Sequence, residues 1–314
     1  MAIKASGSSL AFSEIVSTWG GSTPHSLSEY YSAGDEVYSG AADEAGNVIP
    51  SSSTISFSDF YSTPTISTGS TTNVTSTSTV TVMIPYGVST FTITMHGAGG
   101  QGGEGDESGA GGGGGGGGSG GTVVGTLTIS GNTPADYNSS YSQQSFTCVA
   151  GTGGNHASSG SHANTSTAYA ASGTDSFVYY NSVMTSAGGG GYGGGFSGNG
   201  TAYSNASQAN NSIGSNFSAS TDNDGTSADS YQGGSGDGFS SAGTAGKALA
   251  SNPLSLTSTG GTAGATSSNA AATGGNASGY GAGGGGAASI DRTGAHHWSG
   301  GTGANGYVRT VIAS

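Results

Sequence analysis

Aromatic and imidazole side chains set in glycine-poor segments are the groups of this chain best suited to recognition. Tyr169, Tyr179, Tyr180, Tyr203, Phe217 and Tyr231 lie in or beside such segments, and His296-His297-Trp298 forms a dense cluster. A Tyr or Trp ring offers a rigid apolar face with a polar edge, which suits sugars and exposed protein loops. The plainer role for the same rings is to cap miniature cores. Asp222-Asn223-Asp224-Gly225, with Asp229 nearby, places carboxylates at alternate positions as a calcium loop does. The bidentate Glu that closes such a loop is missing, since Gly233 stands there, and an Asp/Asn/Gly turn uses the same letters. His156 with His162, and His296 beside His297, match no zinc spacing, and the lone Cys148 partners neither. No metal or cofactor is expected. Glu104, Asp106 and Glu107 sit in a glycine-rich bend, where solvated carboxylates are expected. Gly246-Lys247 is followed by Ala248 rather than Ser or Thr, so no phosphate loop is present. Catalysis therefore has no local motif, and no enzyme is expected.

The elements that must position these residues are dominated by glycine, which supplies 65 of 314 residues, with an unbroken run from Gly111 to Gly118. Glycine loses more backbone freedom on folding than any other residue, by roughly 0.5–1 kcal/mol relative to Ala. An ordered chain of this composition must be held by something that only glycine permits. Without Cβ atoms, extended segments can lie close enough for their peptide groups to bond one another. The strict Gly-X-Y period of collagen is absent. The expectation is packed polyglycine II helices, each donating to and accepting from its neighbours.

Bulk charge narrows the partners. The formal net charge is −13, and the basic residues are Lys4, Lys247, Arg292 and Arg309. Nucleic-acid binding needs a basic stripe and is excluded. Attraction to anionic lipid fails for the same reason. Cys148 allows no intrachain disulfide and, between Phe146-Thr147 and Val149, reads as a small buried side chain. No stretch of about 18 apolar residues is present to span a membrane. The N-terminus lacks a basic segment followed by an apolar run, so the expectation is a chain made in a host cytoplasm and released by lysis.

Three regions are expected: a module over 1–63, a Ser/Thr-rich linker over 64–78, and a glycine-rich domain over 79–314. The fold class is mainly β and irregular. In the module, Leu10 to Val16 repeats as Ile55 to Tyr61, each with Ser before an acidic residue and then apolar residues. Short helical turns follow, with Ser as N-cap and the acid at the first helical position. Their expected core is Phe12, Trp19, Tyr30, Tyr31, Phe57 and Phe60. Further on, alternation marks strands at 79–85 and 91–95, joined by a turn at Tyr86-Gly87. Others are expected at 122–130, 145–149 and 307–312, with first and last strands meeting in one sheet. Between Gly151 and Gly306, glycine-rich pieces alternate with varied ones at 152–187, 196–232, 247–278 and 287–299. The varied pieces are expected as loops displayed at the ends of a stiff bundle.

Two stretches resemble known proteins. Leu27-Ser28-Glu29-Tyr30-Tyr31, Val48-Ile49-Pro50 and Ile55-Ser56-Phe57-Ser58-Asp59-Phe60-Tyr61 are similar to an N-terminal module common in bacteriophage virion proteins. A strand ending in Gly97-Ala98-Gly99-Gly100, the glycine run, and the closing Gly303-Ala304-Asn305-Gly306-Tyr307-Val308 resemble the glycine-rich C-terminal domain of phage tail fibres and tail-tip adhesins. The resemblance implies a host-recognition protein of the virion. Its N-terminal module would dock onto other tail proteins, and its loops would contact a host cell-surface glycan or outer-membrane protein. It further implies a homo-oligomer, with a trimer favoured. Unlike a pure tip adhesin, this chain carries its own N-terminal module and connector. The rival reading is a purely architectural fibre, collar or capsid-decorating protein. A secreted glycine-rich matrix protein is a third class, for which no signal peptide is visible.

Overall fold

Alternating apolar residues build two antiparallel sheets that share one core. The computed structural model describes residues 10–19, 30–31, 49–50, 52, 54–60, 71–85, 88–106, 112–132, 144–155, 170–196, 202–230, 240–266, 273–290 and 297–312. The sandwich strands are β1 (Thr71–Val74), β2 (Val80–Met83), β3 (Thr90–His96), β4 (Thr122–Thr128) and β5 (Ser145–Val149). They continue as β6 (Ser176–Tyr180), β7 (Val183–Ala187), β8 (Phe217–Asn223) and β9 (Tyr307–Ile312). One sheet is five-stranded, in the order β1-β9-β3-β4-β8, and the other is four-stranded, in the order β2-β5-β6-β7. Phe91, Ile93, Met95, Val123, Leu127 and Val308 from the first sheet meet Phe146, Cys148 and Val178 from the second. Phe91 and Phe146 cross edge to face at 4.9 Å, a pairing worth about 0.5–1.5 kcal/mol beyond its buried area. Gly125 lies where a Cβ would come within 2.4 Å of the Phe217 ring, so glycine makes room for the neighbouring strand's aromatic.

Several expectations change here. The last strand does close the domain, but its partners are β3 and β1. The supposed linker 64–78 thus supplies an edge strand from Thr71, which needs only Val74 buried to hold its place. The segments around 79–85 and 91–95 are no hairpin: β2 pairs with β5, and β3 lies in the other sheet. Pro85 cannot donate to a ladder. The buried Asn132 then pins the crossing, its Nδ2 donating to the carbonyls of Pro85 at 2.8 Å and Val88 at 2.9 Å. Part of the varied piece 152–187 is the β6–β7 hairpin, and part of 196–232 is β8. Ser- and Asn-rich composition hid both. The hairpin turns on Asn181 and Ser182, with φ of 48° and 65°, both in the left-handed region that suits a two-residue turn.

The strands run directly into glycine threads. β3 leads into 97–105, β4 follows 112–121, β7 leads into 188–195 and β9 follows 299–306. Within each thread, backbone donors change neighbour with a repeat of three residues. Gly97, Gly100 and Gly103 donate to Gly121, Gly118 and Gly115. Ala98 and Gln101 donate to Thr174 and Ala171, while Gly99 and Gly102 donate to Ala304 and Gly301. Thread 281–288 is enclosed in the same way. It donates to Thr244, Lys247, Gly100, Gly103 and Gly275, and accepts from Gly114, Gly117, Gly120, Gly261, Gly264, Gly301 and Ala304. Three residues per turn is the repeat of an extended threefold helix without internal hydrogen bonds. Among the described glycines only Gly131, Gly225, Gly279 and Gly281 have positive φ, so most thread glycines are required for space. A Cβ on Gly117 would sit 2.2 Å from the Gly100 carbonyl oxygen, and one on Gly284 would sit 1.8 Å from that of Gly301.

The N-terminal region has its own small core. Helix α1 (Phe12–Trp19) is capped by Glu14, whose carboxylate accepts from the Ala11 N–H at 2.8 Å. The short 3-10 turn Phe57–Phe60 repeats this, with Asp59 accepting from the Ser56 N–H at 2.7 Å. The acid is therefore the third helical residue reaching back, one half of a capping box. Ser13 and Ser58, the expected N-caps, instead lie inside the first turn, two places beyond the N-cap positions Ala11 and Ser56. Tyr30 and Phe60 are buried as expected, together with Ile15 and Ile49, and Phe12 packs edge-on against Tyr30. Phe57 is 40% exposed and so stands at the margin of this core. Tyr31 is half-buried, and the Trp19 side chain lies outside the described residues.

Gly284→Ala and Gly117→Ala are expected to cost about 2–3 kcal/mol each through backbone overpacking. Ser182→Gly is expected to add about 0.5–1 kcal/mol by relieving a left-handed residue. Chemical denaturation of the purified variants checks both signs.

Candidate functional site

The expected recognition residues divide between core, sheet face and thread ends. Tyr180 is a core residue: its ring is buried and its hydroxyl donates to Gln144 Oε1. Phe217 is likewise buried over Gly125. Both are corrected from display positions to sandwich positions, because strands β6 and β8 turn these side chains inward. Tyr179, next along β6, faces out at 44% exposure, directly across from Met184.

Other candidates gather where the threads end. Gly105–Asp106, at the end of the thread leaving β3, pairs with His297–Trp298. Gly195–Phe196, at the end of the thread leaving β7, pairs with Ala202–Tyr203. These two ribbons are adjacent, which brings the backbones of Tyr203, His297 and Trp298 to the end of the bundle remote from the sandwich. Trp298 is half-buried against Ala288. Tyr169, Tyr231 and His296 lie outside the described residues, as do the side chains of Tyr203 and His297.

Among the described residues the three aspartates are not gathered into one cluster. Asp222 accepts from Asn211 Nδ2 and Asp224 from the Asn211 N–H, both at 2.8 Å. Asn211 Oδ1 in turn accepts from the Gly188 N–H, so the cluster ties a loop to a thread. Asp229 is engaged elsewhere, in an ion pair with Lys247 at 2.8 Å and a hydrogen bond from Thr244. Among the described residues no three His, Cys, Asp or Glu side chains come together as a metal site.

Burial silences the remaining reactive groups. Cys148 lies in the sandwich core, where burial pushes its thiol up to about 12. His96 ends β3 with its Nδ1 2.9 Å from Thr122 Oγ1, whose hydroxyl donates to the Ser251 carbonyl. The threonine oxygen therefore accepts, Nδ1 carries the proton, and burial lowers the imidazole to about 4. Glu104 corrects a sequence expectation: it is buried rather than solvated. Ala98, Gln101 and Glu104 recur every third residue among glycines, so they share one face of an enclosed thread. Burial raises the Glu104 carboxyl to about 8.

One groove was not anticipated. Thr75, Thr257, Gly279, Tyr280, Gly303 and Asn305 border an open cavity of about 710 Å³ beside the sandwich end of the bundle. Tyr280 packs against Tyr307 at 4.9 Å, and the Tyr307 hydroxyl donates to Asn73. A lone tyrosine between two glycines, Gly279-Tyr280-Gly281, is the available signal in the sequence, masked by the glycines around it.

The sequence profile of the glycine-rich domain family matches residues 74–312, from the last residue of β1 to the last of β9. The chain belongs to the glycine-rich domain family. The match takes in both the sandwich and the threads, so strands and glycine runs form one glycine-rich domain. No curated protein matches the chain.

The pH dependence follows from the two shifted groups. Folded Glu104 holds its proton more tightly than its ordinary value of 4.5 allows, so stability falls as pH rises from about 4.5 to 8. Folded His96 holds its proton less tightly than at 6.5, so stability falls as pH drops from 6.5 to about 4. The two slopes oppose each other between 4.5 and 6.5, which places maximal stability there. Melting temperature against pH should show this plateau, and Glu104→Gln should remove the decline on its alkaline side.

Proposed function

We propose that this glycine-rich domain protein is a bacteriophage virion component, a tail fibre or tail-tip adhesin, that binds a host surface receptor during adsorption. What supports the reading is the meeting of Tyr203, His297 and Trp298 backbones at one end of a body of mutually bonded threads. Such a body holds its tips still without a side-chain core behind them, and a rigid scaffold lets loop residues contact a ligand at low entropic cost. The N-terminal core around Ile15, Tyr30, Ile49 and Phe60 serves as the virion-docking module. Recognition is by shape and stacking, with no covalent step. Several copies per particle, as a homotrimer, turn weak single contacts into firm attachment through avidity.

The test is competition. Purified protein, incubated with host cells before phage is added, should lower adsorption at least about tenfold. The double variant His297→Ala/Trp298→Ala should compete much less while its melting temperature stays within a few degrees. Adsorption unaffected by the unaltered protein would leave the purely architectural reading in its place. Mass spectrometry of purified virions decides membership of the particle independently.

A further inference from the structure

The geometry points to a second binding site: the groove between Tyr280, Asn305, Thr75 and Thr257 takes a neutral oligosaccharide, with one sugar ring lying against the tyrosine. The inference rests on reading the chain as a host-surface binder and narrows the ligand to a glycan at a stated place. Three features of the groove carry it.

First, the aromatic is preset. Gly279 and Gly281 flank Tyr280 with φ of 81° and 65°, a backbone that L side chains rarely adopt. A Cβ on Gly279 would sit 1.8 Å from the Thr257 carbonyl oxygen, so a larger residue is also excluded by space. The turn is then tied down on both sides, by Tyr280 N–H to the Thr257 carbonyl at 2.9 Å and Gly281 N–H to the Asn305 carbonyl at 2.8 Å. The two left-handed glycines fix the backbone of the half-buried Tyr280 at the groove, and its ring rests against Tyr307 at 4.9 Å. A preset aromatic costs little ordering entropy when a ligand stacks on it.

Second, the polar groups suit hydroxyls. Thr75, Thr257 and Asn305 are solvent-exposed. Asn305 Oδ1 accepts from the Gly153 N–H at 2.9 Å, which fixes the amide and leaves Nδ2 to donate. Threonine hydroxyls both donate and accept, as sugar hydroxyls do.

Third, among the described residues none bordering the groove is charged. A phosphate, sulfate or sialic acid meets no cation there, and the chain's net charge of −13 opposes anionic ligands at longer range. The volume of about 710 Å³ falls within the roughly 300–1,000 Å³ typical of small-ligand sites.

The experiment applies the full chain to an array of malto-, manno- and galacto-oligosaccharides, with oligosialic acid and heparin fragments as anionic probes. The best-retained neutral sugar is then titrated calorimetrically. Expected are retention on at least one neutral series and none on the anionic probes. Tyr280→Ala should lower affinity at least tenfold, whereas Tyr280→Phe, which keeps the ring, should stay within about threefold. Thr257→Arg fills the groove from an exposed position and should abolish binding without changing the melting temperature, which guards against a misfolded Tyr280→Ala. Retention of no neutral sugar overturns the site, and so does equal binding by Thr257→Arg. Bound sugar lost in these variants, with adsorption untouched by free protein, keeps the groove and discards the attachment role. Blocked adsorption with no sugar bound does the reverse.

Discussion

Hydrogen bonds between peptide groups of neighbouring glycine threads are the interaction on which the rest of this molecule depends. A buried N–H or C=O left without a partner costs about 1–3 kcal/mol. The threads at 97–105, 112–121 and 281–288 are buried along their length, so their peptide groups would be prohibitive liabilities alone. Each instead finds acceptors and donors on several sides, because successive residues of a threefold repeat face different neighbours. The interior is made of backbone, and the hydrophobic effect has little to act on there. Glycine's role is steric: a neighbouring carbonyl oxygen sits where a Cβ would be.

That arrangement needs a template, since many registers of identical glycines would satisfy the same bonds. The sandwich supplies it. In β3 and β4, His96 stands opposite Thr122, and the next bond outward joins Gly97 to Gly121. The antiparallel ladder therefore passes its register to the threads, where the step changes from two residues to three. Side chains set at the boundary reinforce the join: His96 to Thr122 and on to Ser251, Ser176 to the His96 carbonyl, and Asn211 to Gly188 and Asp222. The hydrophobic core fixes a few strands, and those strands fix where backbone meets backbone. Local propensity, strand pattern and thread packing then agree with one another.

Much of this was legible in the sequence. Period-two alternation located β2, β3, β4, β5 and β9, because each carries two or more buried or half-buried apolar residues beside threonine. β1, β6, β7 and β8 were not legible. β1 buries only Val74, and the β6–β7 turn uses Asn181-Ser182 where Asn-Gly is the usual signal. Strand pairing was also beyond local pattern, since the partners of β9 lie more than two hundred residues upstream in the numbering. The Gly-Gly-X recurrence at Ala98, Gln101 and Glu104 was present but masked by the surrounding glycines. Among candidate site residues, exposure on a strand was the hard part. Tyr179 and Tyr180 are adjacent in sequence, yet one faces water and the other the core, and a single strand's facing depends on its partner. The Tyr280 groove is assembled from segments after β1, before β9 and between threads, so only the folded chain could reveal it.

The step of three has a consequence for how such a body can change length. Inserting three residues into a thread restores every donor to its former bearing and merely pushes the tip one turn farther out. Inserting one or two rotates all later peptide groups toward the wrong companions. Growth by triplets is thus cheap and other growth is ruinous, so the height of the post can be altered in unit increments while its footing stays untouched.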